Sequence, residues 1–174
     1  MLDHIYLIVT GTGTARRAPD LLSRLTELGP KVIVITTPNA SRIVALREFS
    51  LVLQDKPGHQ IVESYFDEAI TPRPPFGLVL VAPCSFDSLN KLGLGIADNL
   101  ALSVVAEAIG RATPVIVGVS VNVPLWKHPQ AKKSVETLRS WGVEIIDPVA
   151  EGETVMLASN DVLIEAVKRQ LQSS

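Results

Sequence analysis

Short apolar runs rich in β-branched residues alternate along the chain with amphipathic stretches. Most of the runs are continuously apolar, which is typical of strands in a parallel sheet covered by helices on both faces. The pattern predicts one doubly wound, Rossmann-like (flavodoxin-like) α/β domain over residues 1–174, with a parallel sheet flanked by helices. Five runs are predicted as strands, at residues 5–9, 32–35, 78–81, 115–119 and 143–146.

The stretches between these runs predict the helices. Helical spacing of apolar residues is found at residues 21–28, from 39 to about 47, from 86 or 87 to about 94, and at 98–110, 129–141 and 161–172. Residues 53–75 are rich in proline and weakly periodic. We therefore predict irregular structure there, around one short edge strand near residues 60–62.

Composition and charge exclude several classes of partner. The chain has 174 residues, 16 basic and 18 acidic, and no cluster of Lys and Arg longer than a pair, so neither nucleic acid nor an anionic membrane is expected as a partner. Cys84 is the only cysteine, which excludes an intrachain disulfide and a CxxC metal site and fits a cytoplasmic protein. The first ten residues predict a buried strand rather than a signal peptide, and no apolar stretch is long enough to span a membrane.

Three predicted strand ends carry polar groups, where such sheets bind ligands. Thr10, Gly11, Thr12, Gly13 and Thr14 follow the first strand and suit a phosphate, because glycine admits close approach and hydroxyls donate hydrogen bonds. The other two ends are residues 82–88 and 119–126. Arginine occupies the third glycine position of a dinucleotide fingerprint, and the second strand ends in threonines rather than an acid, so NAD is disfavoured. A mononucleotide with its phosphate between Thr12 and the turn at residues 37–39 fits better.

In order, these segments resemble the flavin-containing cysteine decarboxylases, which include phosphopantothenoylcysteine decarboxylases and the peptidyl-cysteine decarboxylases of lantibiotic-type biosynthesis. The resemblance covers about residues 5–148 and is most specific over residues 78–100, which are similar to APAxANTxxKxAxGIADNLL. Asn122 and Trp126 match the motif PxMNxxMW, and residues 9–12 resemble the phosphate loop VTGS.

The resemblance implies FMN, not FAD, as cofactor, and an assembly of trimers or their multiples, such as a homotrimer or homododecamer, with residues 95–100 reaching the neighbouring flavin. It implies an oxidoreductive lyase reaction in which a cysteine carboxylate loses a hydride to the flavin and then carbon dioxide, leaving an enethiol. The implied cofactor-binding residues are Gly11, Thr12, Gly13, Thr37, Asn39, Pro83, Cys84, Ser85, Phe86, Ser120 and Val121.

The chain departs from the family at its catalytic positions. Arg42 stands where the family has a histidine, and Asp87 replaces the asparagine of PASANT, leaving Asn122 as the polar anchor for a substrate carboxylate. Arginine stays protonated and cannot act as a base. We therefore predict that Asp87 accepts a proton, that Arg42 holds an anion, and that the two form an ion pair. The alternative is that Arg42 is solvated and Asp87 is a helix N-cap.

Cysteine content bears on the substrate. The family members that make a saturated thiol use a cysteine in a late mobile flap, and residues 149–159 contain none, which favours a peptide ending in cysteine over phosphopantothenoylcysteine. Cys84 is predicted as a buried filler. A surface position is expected for His59 and His128, although either could replace the missing histidine. Two alternatives stay open: a flavin prenyltransferase, and a catalytically inactive FMN-binding regulatory or structural subunit.

Overall fold

A six-stranded parallel sheet forms the centre of the molecule, which is a computed structural model describing residues 2–71, 76–152 and 154–173. The strand order is β3-β2-β1-β4-β5-β6, so the chain switches direction across the sheet between β1 and β4. The doubly wound α/β fold that the pattern predicts is confirmed. The strands are β1 (His4–Val9), β2 (Lys31–Thr36), β3 (Gln60–Ile61), β4 (Gly77–Cys84), β5 (Val115–Val119) and β6 (Glu144–Ile146).

Helices cover both faces of the sheet, as the continuous apolar strands require. One core packs α3, α4 and α6 against side chains such as Tyr6 and Ile8, and the other packs α1, α2 and α7 against Leu7 and Val9. None of the described helices is long and apolar enough to cross a membrane. The helices are α1 (Ala18–Leu25), α2 (Leu46–Leu53), α3 (Phe86–Gly93), α4 (Leu100–Gly110), α5 (Val123–Trp126), α6 (Pro129–Ser140) and α7 (Asn160–Gln172).

The helix predicted from residue 39 to about 47 is wrong. A short 3-10 turn, Ala40–Arg42, occupies its first half, and α2 begins only at Leu46. The break lies at Ala45, whose backbone is extended and whose N–H donates to the Glu48 carboxylate at 3.2 Å. The apolar residues of the predicted helix are thus divided between two elements.

A second sheet follows the strand that the sequence predicts as the last. It is an antiparallel hairpin of β7 (Val149–Glu151) and β8 (Thr154–Met156), three residues each. Gly152 turns the chain with a positive φ of 59°. Strands this short give no readable alternation of apolar and polar residues. Among the predicted irregular residues, 72–75 lie outside the described residues.

Candidate functional site

Thr10 fastens the end of β1 to the end of β4. Its buried hydroxyl donates to the Pro83 carbonyl at 2.9 Å and accepts the Ser85 N–H at 2.7 Å. Both groups lie at the carboxyl ends of the two strands that flank the switch point. This connection fixes the place where a doubly wound sheet binds its ligand.

Gly11 brings the loops after β1 and β2 into contact. A Cβ atom on Gly11 would lie 2.6 Å from the Cβ of Asn39, closer than two carbon atoms can approach. At Gly13, in contrast, an added Cβ would meet no atom within 4 Å. The first glycine is required by packing, whereas the second borders open space.

Three hydroxyls form a chain beside that open space. The Thr14 hydroxyl lies 2.7 Å from that of Thr12 and 2.7 Å from that of Ser120. Within the described part of the chain, the backbone N–H groups of Gly11, Gly13 and Thr14 donate to no acceptor. Hydroxyls and uncommitted amides of this kind are the donors that bind phosphate.

These groups line a cavity of about 590 Å³ at the carboxyl ends of β1, β4 and β5. It contains seven of the predicted cofactor residues: Gly11, Thr12, Gly13, Ser85, Phe86, Ser120 and Val121. Two predicted catalytic residues, Asp87 and Asn122, line it as well. A second cavity of about 680 Å³ lies at the opposite edge, beside His4 and Lys31, away from all of these residues.

The remaining predicted cofactor residues lie elsewhere. Thr37 and Asn39 line an adjoining cavity of about 180 Å³, which shares Gly11, Ser85 and Asp87 with the larger one. Pro83 and Cys84 are the last two residues of strand β4. Both are buried, and they line neither the 590 Å³ cavity nor the 180 Å³ cavity. Burial raises the pKa of the Cys84 thiol, so this residue is a core side chain and not a nucleophile.

Asp87 lies in the first turn of α3, where its carboxylate accepts the Ser85 hydroxyl at 2.6 Å. Ser85, and not Asp87, is the N-cap of this helix, because its hydroxyl accepts the Ser88 N–H. The proposed cap role of Asp87 is therefore wrong. Its second carboxylate oxygen accepts no hydrogen bond from the described residues.

Arg42 does not join Asp87. It is exposed on the 3-10 turn after β2, lines neither of the two cavities, and forms no ion pair with any described residue. The predicted ion pair is thus not formed. The loops after β2 and β4 do meet, because Thr37, Asn39 and Asp87 line the same adjoining cavity, but Arg42 lies beyond this meeting point, exposed at the end of the 3-10 turn.

Asn122 caps a helix and faces the cavity at the same time. Its side-chain oxygen accepts the Leu125 N–H at 3.0 Å at the start of α5. The amide nitrogen donates to no acceptor within the described residues, so it is available to a ligand. Trp126, the last residue of α5, packs partly buried against the core and does not line the cavity.

The two loop histidines have structural partners. The His128 Nδ1 accepts the Gln130 N–H at 3.0 Å, and its ring packs edge-on against Phe86 at 5.3 Å between centroids. The His59 Nδ1 accepts the Val32 N–H at 2.9 Å beside the sheet edge, and burial lowers the pKa of His59. Neither histidine lines the cavity, although His128 touches its wall through Phe86.

Sequence reasoning missed the wall formed by β8, which contributes Thr154, Val155 and Met156 to the cavity. It also missed the residue that holds this wall in place. The Arg17 guanidinium donates to the carbonyls of Leu157 at 3.0 Å and Ala158 at 2.7 Å. Nothing in the sequence pattern marks these residues, because their contacts span about 140 positions.

A family model described as Flavoprotein matches residues 2–171. A probable phosphopantothenoylcysteine decarboxylase of Streptococcus mutans is 29% identical over 181 residues, covering 98% of this chain and 100% of the relative. The coenzyme A biosynthesis bifunctional protein CoaBC of Thermococcus kodakarensis is 25% identical over 173 residues, covering 96% of this chain. This chain spans only 42% of the length of that relative.

Solved structures share the fold. The FMN binding protein AtHal3 superimposes with a TM-score of 0.82 at 16% identity, over 100% of this chain and 99% of the other. The peptidyl-cysteine decarboxylase EpiD gives a TM-score of 0.78 at 16% identity, over 97% of this chain and 99% of the other. At these identities the likeness concerns the arrangement of helices and strands.

Proposed function

The chain belongs to the flavoprotein family, in agreement with its resemblance to flavin-containing cysteine decarboxylases, and we propose that it uses FMN to decarboxylate a thiol carboxylate of the cysteine type. One observation carries the proposal. A phosphate-binding set of hydroxyls and amides lies in the same cavity as Asp87 and Asn122. The Streptococcus mutans relative, which this chain covers over its full length, is named a probable phosphopantothenoylcysteine decarboxylase.

The donor set of the cavity fits FMN. Thr12, Thr14 and Ser120 would hold the phosphate, together with the free amides of the loop after β1. Phe86 and Val121 offer the apolar surface that an aromatic ring system needs. Bound FMN would supply the hydride acceptor for the oxidation.

The protein residues then bind and orient the substrate. The free amide nitrogen of Asn122 would donate to the substrate carboxylate, and the open oxygen of Asp87 would accept the thiol proton. The Ser85 hydroxyl fixes the Asp87 carboxylate by occupying its other oxygen. Arg42, which lines neither cavity, has no part in this proposal.

The preferred substrate in our proposal is a peptide that ends in cysteine, and the product is an enethiol. The name of the Streptococcus mutans relative favours phosphopantothenoylcysteine instead. Our choice rests on the cysteine content, since Cys84 is the only cysteine and is buried.

A trimer or a multiple of trimers stays a prediction. Leu94 and Ile96, 63% and 43% exposed on the loop before α4, are suitable contacts for it.

Anaerobic mixing of the purified protein with cysteine-terminated peptide tests the proposal. We expect yellow protein with about one FMN per chain, loss of the flavin absorbance on mixing, and a peptide lighter by carbon dioxide and two hydrogens. Asp87→Asn should slow bleaching by on the order of 10²–10⁴-fold. Asn122→Ser keeps a capping oxygen while removing the amide nitrogen, and should raise KM.

Other outcomes separate the rivals. Colourless protein that takes up no FMN would remove the proposal altogether. Yellow protein that bleaches with phosphopantothenoylcysteine but not with peptide would correct the substrate. Incorporation of a prenyl group would identify a flavin prenyltransferase. Yellow protein that reacts with neither the cysteine peptide, nor phosphopantothenoylcysteine, nor a prenyl phosphate as donor of the prenyl group would identify a catalytically inactive subunit.

A further inference from the structure

The charges around the cavity point to the charge of the substrate. We infer that the site selects cysteine carboxylates whose tail is neutral or cationic and rejects those whose tail carries an anion such as a phosphate monoester. The inference rests on the proposed function and narrows its substrate class.

Asp87 is the only charged side chain among the described residues that line the 590 Å³ cavity at the carboxyl ends of β1, β4 and β5, hereafter called the larger cavity. The adjoining cavity adds Lys91 and Asp98, which form an ion pair at 2.9 Å and compensate each other. The combined cavities therefore retain one uncompensated negative charge. An incoming anion meets no free cation on their described walls.

The segment that contains the hairpin is strongly acidic. Residues 140–167 include six acidic residues and neither Lys nor Arg. Four of the acids pair with cations elsewhere in the chain: Glu144 with Arg169, Asp147 with Arg139, Asp161 with Arg24, and Glu165 with Lys168. Glu151 is exposed and forms no ion pair within the described part of the chain, and Glu153 lies outside it.

Glu151 is placed to act on the cavity. It lies directly opposite Thr154 in the antiparallel pair of β7 and β8, and directly opposed residues share one face of a hairpin. Thr154 lines the larger cavity. Glu151 does not itself line the cavity, so its carboxylate would act on a substrate tail that extends out of the cavity past Thr154.

The two nearby arginines, Arg16 and Arg17, lie outside the walls of both cavities. The Arg17 guanidinium is held at the base of the hairpin by the carbonyls of Leu157 and Ala158. Arg16 is exposed on the 3-10 turn Gly13–Arg17. The one cation on the described walls of the two cavities is therefore Lys91, which is paired with Asp98.

Binding of non-oxidisable peptides tests the inference separately from turnover. FMN-loaded protein is titrated with fluorescently labelled pentapeptides that end in serine and carry two lysines, two glutamines or two glutamates before it. We expect the lysine peptide to bind about ten-fold more tightly than the glutamate peptide at low ionic strength, with glutamine between them. The ratio should shrink toward one in about 1 M salt.

Variants locate the effect. Glu151→Gln should reduce the lysine-to-glutamate ratio by about two- to five-fold, and Glu151→Lys should reduce it further. Glu27→Gln makes the same change of net charge at an exposed residue near the amino ends of the strands, and should leave the ratio unchanged. Equal binding of the lysine and glutamate peptides, or an equal response to Glu27→Gln, would overturn the inference. If the ratio holds but cysteine peptides do not bleach the flavin, decarboxylation fails and the charge preference stands.

Discussion

The two walls of the cavity are built in different ways. The phosphate wall, formed by the loops after β1, β4 and β5, is joined to the sheet core through buried Thr10 and through the contact of Gly11 with Asn39. The hairpin wall consists of two three-residue strands, and all of β7 is exposed. Arg17 ties its base to the phosphate side. The free energy of local unfolding is small where few buried groups hold a segment in place. The molecule therefore combines a firmly held phosphate wall, to which we assign the FMN phosphate, with a weakly attached hairpin wall.

Thiol labelling should show the largest difference between the walls. We expect a cysteine introduced by Ala150→Cys to react with iodoacetamide about 10³-fold faster than Cys84, because labelling needs an accessible thiolate. Mass spectrometry of the labelled peptides gives the two rates in one sample. In denaturant both cysteines should react alike, which is the control.

The pH dependence of this labelling has a definite sign. Burial raises the pKa of the Cys84 thiol, so increasing the pH from 7 to 9 should accelerate labelling of the introduced cysteine and leave Cys84 slow. In the unfolded chain Cys84 ionises near its ordinary pKa. Its contribution to the stability of the fold is therefore retained at neutral pH and is lost as pH rises above about 8.5. Labelling of Cys84 within ten-fold of the introduced cysteine would contradict a tightly closed phosphate wall.

Gly11→Ala should disrupt the phosphate wall directly. The new Cβ would clash with Asn39, so the loops after β1 and β2 must separate, at a cost of about 3 kcal/mol shared between stability and FMN affinity. Thermal unfolding and a flavin fluorescence titration measure the two parts. Gly13→Ala is the matched control, because its Cβ meets no atom within 4 Å. Equal stability losses in both variants would show that the tight contact does not govern the wall.

The difference between the phosphate wall and the hairpin wall also explains which features could be predicted from the sequence. The strand predicted at residues 115–119 is confirmed with its bounds as β5, and seven of the predicted cofactor residues line one cavity. Both features could be predicted because continuous apolar runs and loops of glycine and hydroxyl residues are local signals in the sequence. The hairpin wall gave no such signal. Its strands are three residues long, and its tie through Arg17 depends on contacts distant in sequence.

The predicted pair of Arg42 and Asp87 failed for a related reason. Opposite charges in two strand-end loops suggest an ion pair only if the loops are neighbours in space. Here the loops are neighbours at Thr37, Asn39 and Asp87, but Arg42 lies outside that contact, exposed on a 3-10 turn. The apolar pattern predicts one continuous helix after β2 and does not indicate the break that leaves Arg42 on a separate turn.

Thr10→Val should cost about 2 kcal/mol of unfolding free energy. The substitution keeps the shape of the side chain but leaves the Ser85 N–H without its acceptor inside the core. Chemical denaturation of the FMN-free protein measures the loss. Thr14→Val removes a part-buried hydroxyl that bonds only to other hydroxyls, and should cost less than about 0.5 kcal/mol while weakening FMN binding. If Thr14→Val were the more destabilising variant, the assignment of fold and ligand roles to these two threonines would be reversed.

Arg17→Met should have the smallest effect and should confine it to the hairpin wall. Loss of the guanidinium leaves the Leu157 and Ala158 carbonyls without their donor, so opening of the hairpin should become easier by about 1 kcal/mol. Cleavage by a glutamate-specific protease, which can cut after Glu151, should accelerate about five-fold, and KM for peptide should rise. FMN affinity should be unchanged, because the hydroxyls that would bind the phosphate are untouched.

Arg24→Met is the matched control for that variant. It breaks an ion pair with Asp161 whose side chains are 36% and 81% exposed, and such pairs contribute little. Cleavage after Glu151 should therefore proceed at the rate of the unmodified protein. If Arg17→Met weakened FMN binding as much as it accelerated cleavage, the 3-10 turn that carries Arg17 would transmit strain between the walls. The phosphate wall and the hairpin wall would then open together as one unit, and the distinction between a firmly held and a weakly attached wall would have to be abandoned.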